Sequence, residues 1–174
     1  MLRSVGIDNV SILDGGFKEW EQNDLPTSQT SLDYSPSDFE FTPRENIFVN
    51  KDEVINAIGN PDFIILNSLT ADIHEGQNPR YGRRGKIPSS KNIPFHELLD
   101  NKTGMFKPIE ELANLFEKNK ITKDKQILNY CGGGIAASLE AFILYQLGFE
   151  KIVIYDNSLH EWAAIDQTLP MENN

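Results

Sequence analysis

Apolar residues recur along this chain in two rhythms. Three short runs, Phe63-Ile64-Ile65-Leu66, Gln126-Ile127-Leu128-Asn129-Tyr130 and Lys151-Ile152-Val153-Ile154-Tyr155, have the length and composition of strands covered on both faces. Between them the spacing turns helical. Asn50-Lys51-Asp52-Glu53 is a capping signal ahead of Val54, Ile55, Ala57 and Ile58, and Gly59-Asn60-Pro61 stops that helix. Pro108 opens a second helix through Lys118, with Ile109, Leu112, Leu115 and Phe116 on one side. Ile135 to Leu147 predicts a third, more deeply buried helix, ended by Gly148. Lys91 to Pro94 predicts a very short strand, and the polar, glycine-punctuated stretch from Thr70 to Ser90 a long loop. Strands alternating with helices predict a parallel α/β sheet with helices on both faces, whose ligands sit at the carboxyl ends of the strands.

One pattern occurs twice. Val5 to Trp20 (VGIDNVSILDGGFKEW) aligns without a gap on Leu147 to Trp162 (LGFEKIVIYDNSLHEW), pairing Gly6 with Gly148, Asp14 with Asp156, Glu19 with Glu161 and Trp20 with Trp162. Each copy predicts a short buried strand, a turn at the aspartate and a short helix carrying the tryptophan. Residues 1–25 are therefore read as the tail of an earlier, similar domain. A lone strand and helix cannot offset an ordering cost of roughly 1–2 kcal/mol per residue, so this piece must dock elsewhere or stay loose. Residues 26–46 (PTSQTSLDYSPSDFEFTPREN, starting at Pro26) read as an extended linker, and residues 47–174 as one complete domain.

Composition narrows the chemistry. Of the 174 residues, 26 are Asp or Glu and 16 are Lys or Arg, giving a formal net charge of −10. That field repels nucleic acid and anionic membrane surfaces, so an anionic ligand needs locally arranged positive potential. No apolar run approaches the roughly 20 residues of a membrane span, and Met1 to Gly16 lacks the apolar core of a secretory signal, so the expected location is cytoplasmic. His74, His96 and His160 show no ligand spacing and are expected as surface or packing residues, without a metal.

The single cysteine, Cys131, stands in Tyr130-Cys131-Gly132-Gly133-Gly134-Ile135-Ala136-Ala137-Ser138, between a predicted strand and a predicted helix. Three glycines let the backbone turn its N–H groups inward, and the helix start adds its positive dipole end. Both favour a thiolate able to act on an anionic substrate. A buried cysteine beside a tight turn would explain the strand end, but not the triple glycine. A dinucleotide site is a competitor, because Gly132, Gly134 and Ala137 match its glycine pattern and Asp156 ends the next strand. Only 18 residues follow Asp156, too few to complete that fold in order, and the aspartate recurs as Asp14 in a turn of the same kind. A cysteine phosphatase would carry an arginine where Ala137 stands.

YCGGGIAAS, LGFEKIVIYDNSLHEW and GRRGKIPSSKNIPF together resemble the second domain of tandem rhodanese-type sulfurtransferases, the thiosulfate and 3-mercaptopyruvate enzymes, from about residue 47 onward. LDGGFKEW resembles the end of such a protein's first domain. The resemblance implies a rhodanese-like α/β fold, a five-stranded parallel sheet flanked by helices on both faces, and a cysteine that cycles through a persulfide. Carried over, Cys131 forms the persulfide, and the backbone N–H groups of Gly132, Gly133, Gly134, Ile135 and Ala136 cradle the substrate anion. The family's loop has Thr or Arg where Ala136 stands, so one side-chain donor is missing. Gly132 and Gly133 replace the basic residues of thiosulfate-specific loops, which resembles the 3-mercaptopyruvate type more. The family's GHIPGA motif reads Gly85-Lys86-Ile87-Pro88-Ser89-Ser90, and its Asp-x-Arg reads Asn67-Ser68-Leu69, a loss of charge expected to bear on stability. Asn157 in place of a glycine is expected to keep the turn after Asp156 by accepting a left-handed conformation.

Arg80, Arg83, Arg84 and Lys86 form the one dense basic stretch and are expected to recruit anions, with Arg80 the leading substrate contact. The implied reaction moves a sulfane sulfur from a small anionic donor, thiosulfate or 3-mercaptopyruvate, to cyanide, a thiol or a thioredoxin, without metal or organic cofactor. The alternative from another class is a non-catalytic rhodanese module used for binding, or the remnant of a tandem enzyme. A second copy of the chain, in a homodimer, is a candidate to fill the place of a missing first domain.

Overall fold

The computed structural model describes residues 1–173. In chain order the helices are α1 (Gly16–Gln22), α2 (Lys51–Ala57), α3 (Ala71–His74), α4 (Ile109–Lys118) and α5 (Ile135–Gln146). The strands are β1 (Phe48–Val49), β2 (Phe63–Asn67), β3 (Lys91–Asn92), β4 (Gln126–Tyr130) and β5 (Ile152–Tyr155). All strand pairs are parallel, in the order β1-β5-β4-β2-β3, so β4 lies at the centre. Short 3₁₀ turns at Leu2–Val5 and Phe95–Leu98 and a π-helical stretch at His160–Ile165 complete the fold. Among the described residues no helix is long and apolar enough to cross a membrane.

Strand residues alternate between two cores, which is why their apolar runs are unbroken. Ile65, Leu128, Tyr130, Val153 and Tyr155 point to one side, where they meet Val54, Ile73 and Trp162. Ile64, Leu66 and Ile127 point to the other, against Leu112, Phe116 and Leu144. The predicted start of α2 is a full capping box: the Asn50 side chain accepts from Asp52 and Glu53 N–H, and Glu53 accepts from Asn50 N–H. Two elements escaped the sequence. The two-residue β1 exists because Phe48 pairs with Ile154, and the predicted Thr70–Ser90 loop begins with the single turn α3, pinned by buried Ile73 and His74.

The two sequence copies adopt related local structure in different surroundings. Gly6 and Gly148 both take positive φ, 92° and 79°, at a helix end. Both indoles donate to a proline carbonyl, Trp20 to Pro26 at 3.0 Å and Trp162 to Pro170 at 2.7 Å. The strand expected in the first copy is absent, however. Residues 7–13 form no ladder, and Ile12 and Leu13 are each 55% exposed, because no neighbouring strand lies on either side to pair with them. In the second copy, β1 and β4 flank that strand.

Residues 1–25 dock through polar contacts instead. Arg44 grips Asp8 with two hydrogen bonds, Arg3 lies 4.0 Å over the Tyr145 ring of α5, and Phe106 N–H donates to Asp14 Oδ1 at 2.8 Å. Residues 26–43 form neither helix nor strand and are exposed.

Trp162 is fully buried whereas Trp20 is not. Trp162→Ala is therefore expected to lower unfolding free energy by about 3–5 kcal/mol. Trp20→Ala should cost under about 1 kcal/mol. Urea denaturation of the two variants checks this, and equal losses would contradict the packing described.

Candidate active site

The chain leaves central β4 and enters α5 within four residues, Cys131 to Gly134. Cys131 is buried, at 2% exposure, immediately past the strand's carboxyl end. Its N–H donates to Ser158 Oγ at 3.0 Å, and that hydroxyl in turn donates to Tyr155 O at 2.7 Å. The loop's carbonyls are also tied down, with Leu159 N–H donating to Cys131 O and His160 N–H to Gly132 O. The turn after β5 thus holds the outer side of the Cys131 loop. Its left-handed residue is Ser158, φ 51°, not Asn157 as expected; the strain there places the hydroxyl against the Cys131 amide.

With the carbonyls so engaged, the amides remain. The six successive N–H groups from Gly132 to Ala137 find no acceptor among the described residues. They include all those expected from the sequence, plus Ala137. They are the orphan donors of a helix start combined with those of a tight turn, the arrangement that binds anions.

The glycines have different reasons. Gly134 has φ 82° and caps α5, and a β-carbon there would fall 2.4 Å from Asp156 Oδ1. Gly132 has no left-handed φ, but a β-carbon on it would fall 1.9 Å from the Tyr81 hydroxyl oxygen. Gly133 is exposed with open space before it, and Ile135 beside it is 85% exposed.

The basic stretch divides. Arg83 does not recruit anions: its guanidinium donates to the carbonyls of Trp162, Ala163, Asp166 and Leu169 around the π-helical stretch. Arg84 donates to Gly76 O and Gln77 O, and Lys86 pairs with Glu172 at 3.2 Å. Backbone carbonyls and a carboxylate near these three made better partners than solvent. Arg80 alone of the four has neither hydrogen bond nor ion pair among the described residues. It is exposed, its guanidinium 5.9 Å over the ring of Tyr81.

A polar layer lies beneath the loop. Asn67 Oδ1 accepts from Leu69 N–H, and its amide nitrogen meets His74 Nδ1 at 3.1 Å. Burial, with Lys86 adding repulsion, pushes His74 down to about 4, so it is neutral at physiological pH. Ser68 donates its N–H to Tyr130 O, and its hydroxyl is hydrogen-bonded to Glu140 of α5. Glu140 is fully buried, its second oxygen has no partner, and burial pushes its carboxyl up to about 8 against the lowering effect of Ser68. Three contributors here, Tyr81, Ser158 and Glu140, were not singled out as site residues from the sequence. A lone acid in the apolar helix IAASLEAFILYQ and a lone aromatic in a polar glycine-arginine loop were the visible signals.

The family model for the rhodanese-like domain matches residues 51–165. Mouse 3-mercaptopyruvate sulfurtransferase is 31% identical over 165 residues, covering 93% of this chain and 55% of the mouse protein. The 3-mercaptopyruvate sulfurtransferase of Escherichia coli K12 is 30% identical over 175 residues, covering 99% of this chain and 61% of that protein. The chain thus spans little more than half the length of these relatives. An anaerobic ergothioneine biosynthesis enzyme from Chlorobium limicola, solved with trimethyl histidine, superposes with a TM-score of 0.88 over 98% of this chain and 43% of its own. At 18% identity that likeness is one of fold.

Glu140 generates a pH test. Below pH 4.5, the ordinary glutamate value, folded and unfolded chains are both protonated there and no penalty exists. Between 4.5 and about 8 the unfolded chain is ionised while the fold keeps its proton, so stability falls as pH rises and levels off above about 8. Each pH unit in that window costs up to about 1.4 kcal/mol. Glu140→Gln removes the titration, so its stability relative to the parent should rise from pH 5 to pH 8. Urea midpoints across that range measure it; a constant difference would refute a buried neutral acid.

Proposed function

The chain belongs to the rhodanese-like family, and on that footing we propose that it is a sulfurtransferase carrying a sulfane sulfur on Cys131. The observation that supports this most is the row of six unpaired N–H groups, Gly132 to Ala137, at the turn where Cys131 leaves the central strand. The dipoles of those N–H groups favour the charge of an anionic substrate or leaving group.

The reaction requires no added cofactor. With thiosulfate, the Cys131 thiolate attacks the outer sulfur, the S–S bond of the donor breaks, and sulfite leaves with the bonding pair. With 3-mercaptopyruvate, the same attack on sulfur breaks the C–S bond, and the carbon leaves as the enolate of pyruvate, which then takes the thiol proton. Either route leaves Cys131 as a persulfide. Cyanide, a small thiol or the thiol of a thioredoxin attacks the outer sulfur and returns the Cys131 thiolate. The amides of the loop stabilise the departing anion, and Arg80 offers the unpaired cation nearest in sequence to the phenol that lies on Gly132. A thiol that must stay reduced suits the cytoplasm.

Intact mass after incubation with thiosulfate and, separately, 3-mercaptopyruvate should show a gain of about 32 Da, the mass of one sulfur, with at least one donor. Cys131→Ser should show none; retention of sulfur transfer by that variant would sink the assignment. No gain by folded, reduced parent protein with either donor would favour a binding module instead. Arg80→Ala should weaken donor use by about ten- to a hundred-fold, the loss of one charge-assisted hydrogen bond, while leaving thermal stability unchanged.

A further inference from the structure

Tyr81 stands where a side chain at position 132 would grow. The β-carbon of an alanine at Gly132 would lie 1.9 Å from Tyr81 Oη, 2.3 Å from Cζ and 2.6 Å from Cε1. Gly132 needs no glycine for its backbone conformation, since its φ is not left-handed. What the position needs is room for the phenol. The loop itself supplies no polar side chain between Gly132 and Ala137. Its first hydroxyl, Ser138, is turned to Ile135 O at 2.8 Å. The other nearby hydroxyl, Ser158, is consumed between Cys131 N–H and Tyr155 O. Tyr81 is half-buried, and its hydroxyl has no hydrogen-bond partner among the described residues. A polar tip placed against the first glycine of that loop, with no partner of its own among the described residues, is a group left for a ligand.

The phenol is also held in place. Gly82 N–H closes a turn onto Pro79 O at 2.9 Å, directly under Tyr81. The neighbouring Arg83 is fixed by its hydrogen bonds to four backbone carbonyls, and a β-carbon on Gly82 would already touch Ala163 and Ala164 at 3.5 Å. Tyr81 therefore reaches the Cys131 loop from a rigid anchor, with the Arg80 guanidinium 5.9 Å from its ring centroid.

We propose that Tyr81 is a substrate-contacting residue of this site: its hydroxyl donates to the anionic group that the Gly132–Ala137 amides receive, and Gly132 is small to admit it. The phenol adds a side-chain donor without adding charge. A single neutral donor beside main-chain amides suits a monoanion that develops one oxyanion, such as an α-keto thiol releasing an enolate. It suits a compact dianion such as thiosulfate less, because Arg80 is the one cation of the basic stretch left to meet the second charge. This role rests on the sulfurtransferase reading.

The test follows single-turnover persulfide formation by intact mass in the parent, Tyr81→Phe, Tyr81→Ala, Gly132→Ala and the double variant Gly132→Ala/Tyr81→Ala, each with both donors. Tyr81→Phe keeps the ring and should keep the thermal midpoint. It should slow sulfur uptake from 3-mercaptopyruvate about tenfold or more, with a smaller loss for thiosulfate. Gly132→Ala should be impaired alone. Added to Tyr81→Ala it should cost nothing further, because the clash partner is gone. A parent-like rate and donor preference in Tyr81→Phe overturns the role while leaving the sulfurtransferase reading intact. A loss in Tyr81→Phe that tracks a lowered thermal midpoint and affects both donors equally also overturns it, in favour of a packing role. Absence of sulfur on the parent Cys131 overturns both readings together.

Discussion

The site depends on one constraint, that the chain must turn from the end of β4 into α5 within four residues. So short a turn leaves no room for its own hydrogen bonds. The carbonyls of Cys131 and Gly132 are taken by amides of the turn after β5, and the amides from Gly132 to Ala137 are left without partners among the described residues. Leaving such donors bare costs free energy unless water or a ligand meets them. The row of bare amides thus follows from a backbone geometry that the sheet imposes.

Neighbouring segments make that geometry rigid. The Ser158 hydroxyl locks the Cys131 amide to the end of β5, at the expense of a left-handed serine. On the other flank, Arg83 binds the polar loop to the Trp162 and Ala163 carbonyls of the π-helical stretch, which a helix end would otherwise leave to water. The use of a guanidinium as a structural clamp explains how a basic run in a chain of net charge −10 contributes only part of its charge to ligand attraction. Tyr81 and Arg80, one and two residues upstream of Gly82, inherit their positions from this clamp.

Below the loop the protein tolerates a neutral carboxylic acid. Glu140 has one hydrogen-bonded oxygen and one bare one, so ionisation there would place a charge in a low-dielectric interior with a single hydroxyl to stabilise it. His74 too is held in its neutral form by burial.

Most of the scaffold was legible because its signals are local. Unbroken runs such as Phe63–Leu66 encode strands buried on both faces, Asn50 and Glu53 encode a capping box, and a cysteine before three glycines encodes a strand-to-helix turn. Those features depend on residues within a few positions of one another. The sequence also resolved the duplication of Val5–Trp20 and Leu147–Trp162, but not its outcome, since a strand forms only where neighbours exist to pair with it. What tertiary structure alone decided are contacts across long stretches of chain. Gly132 meets Tyr81, Cys131 meets Ser158, and Arg83 rather than Arg80 is spent on carbonyls. No periodicity records which of four adjacent cations finds a partner. Packing settles that, by bringing unpaired carbonyls within reach of some side chains and leaving Arg80 exposed.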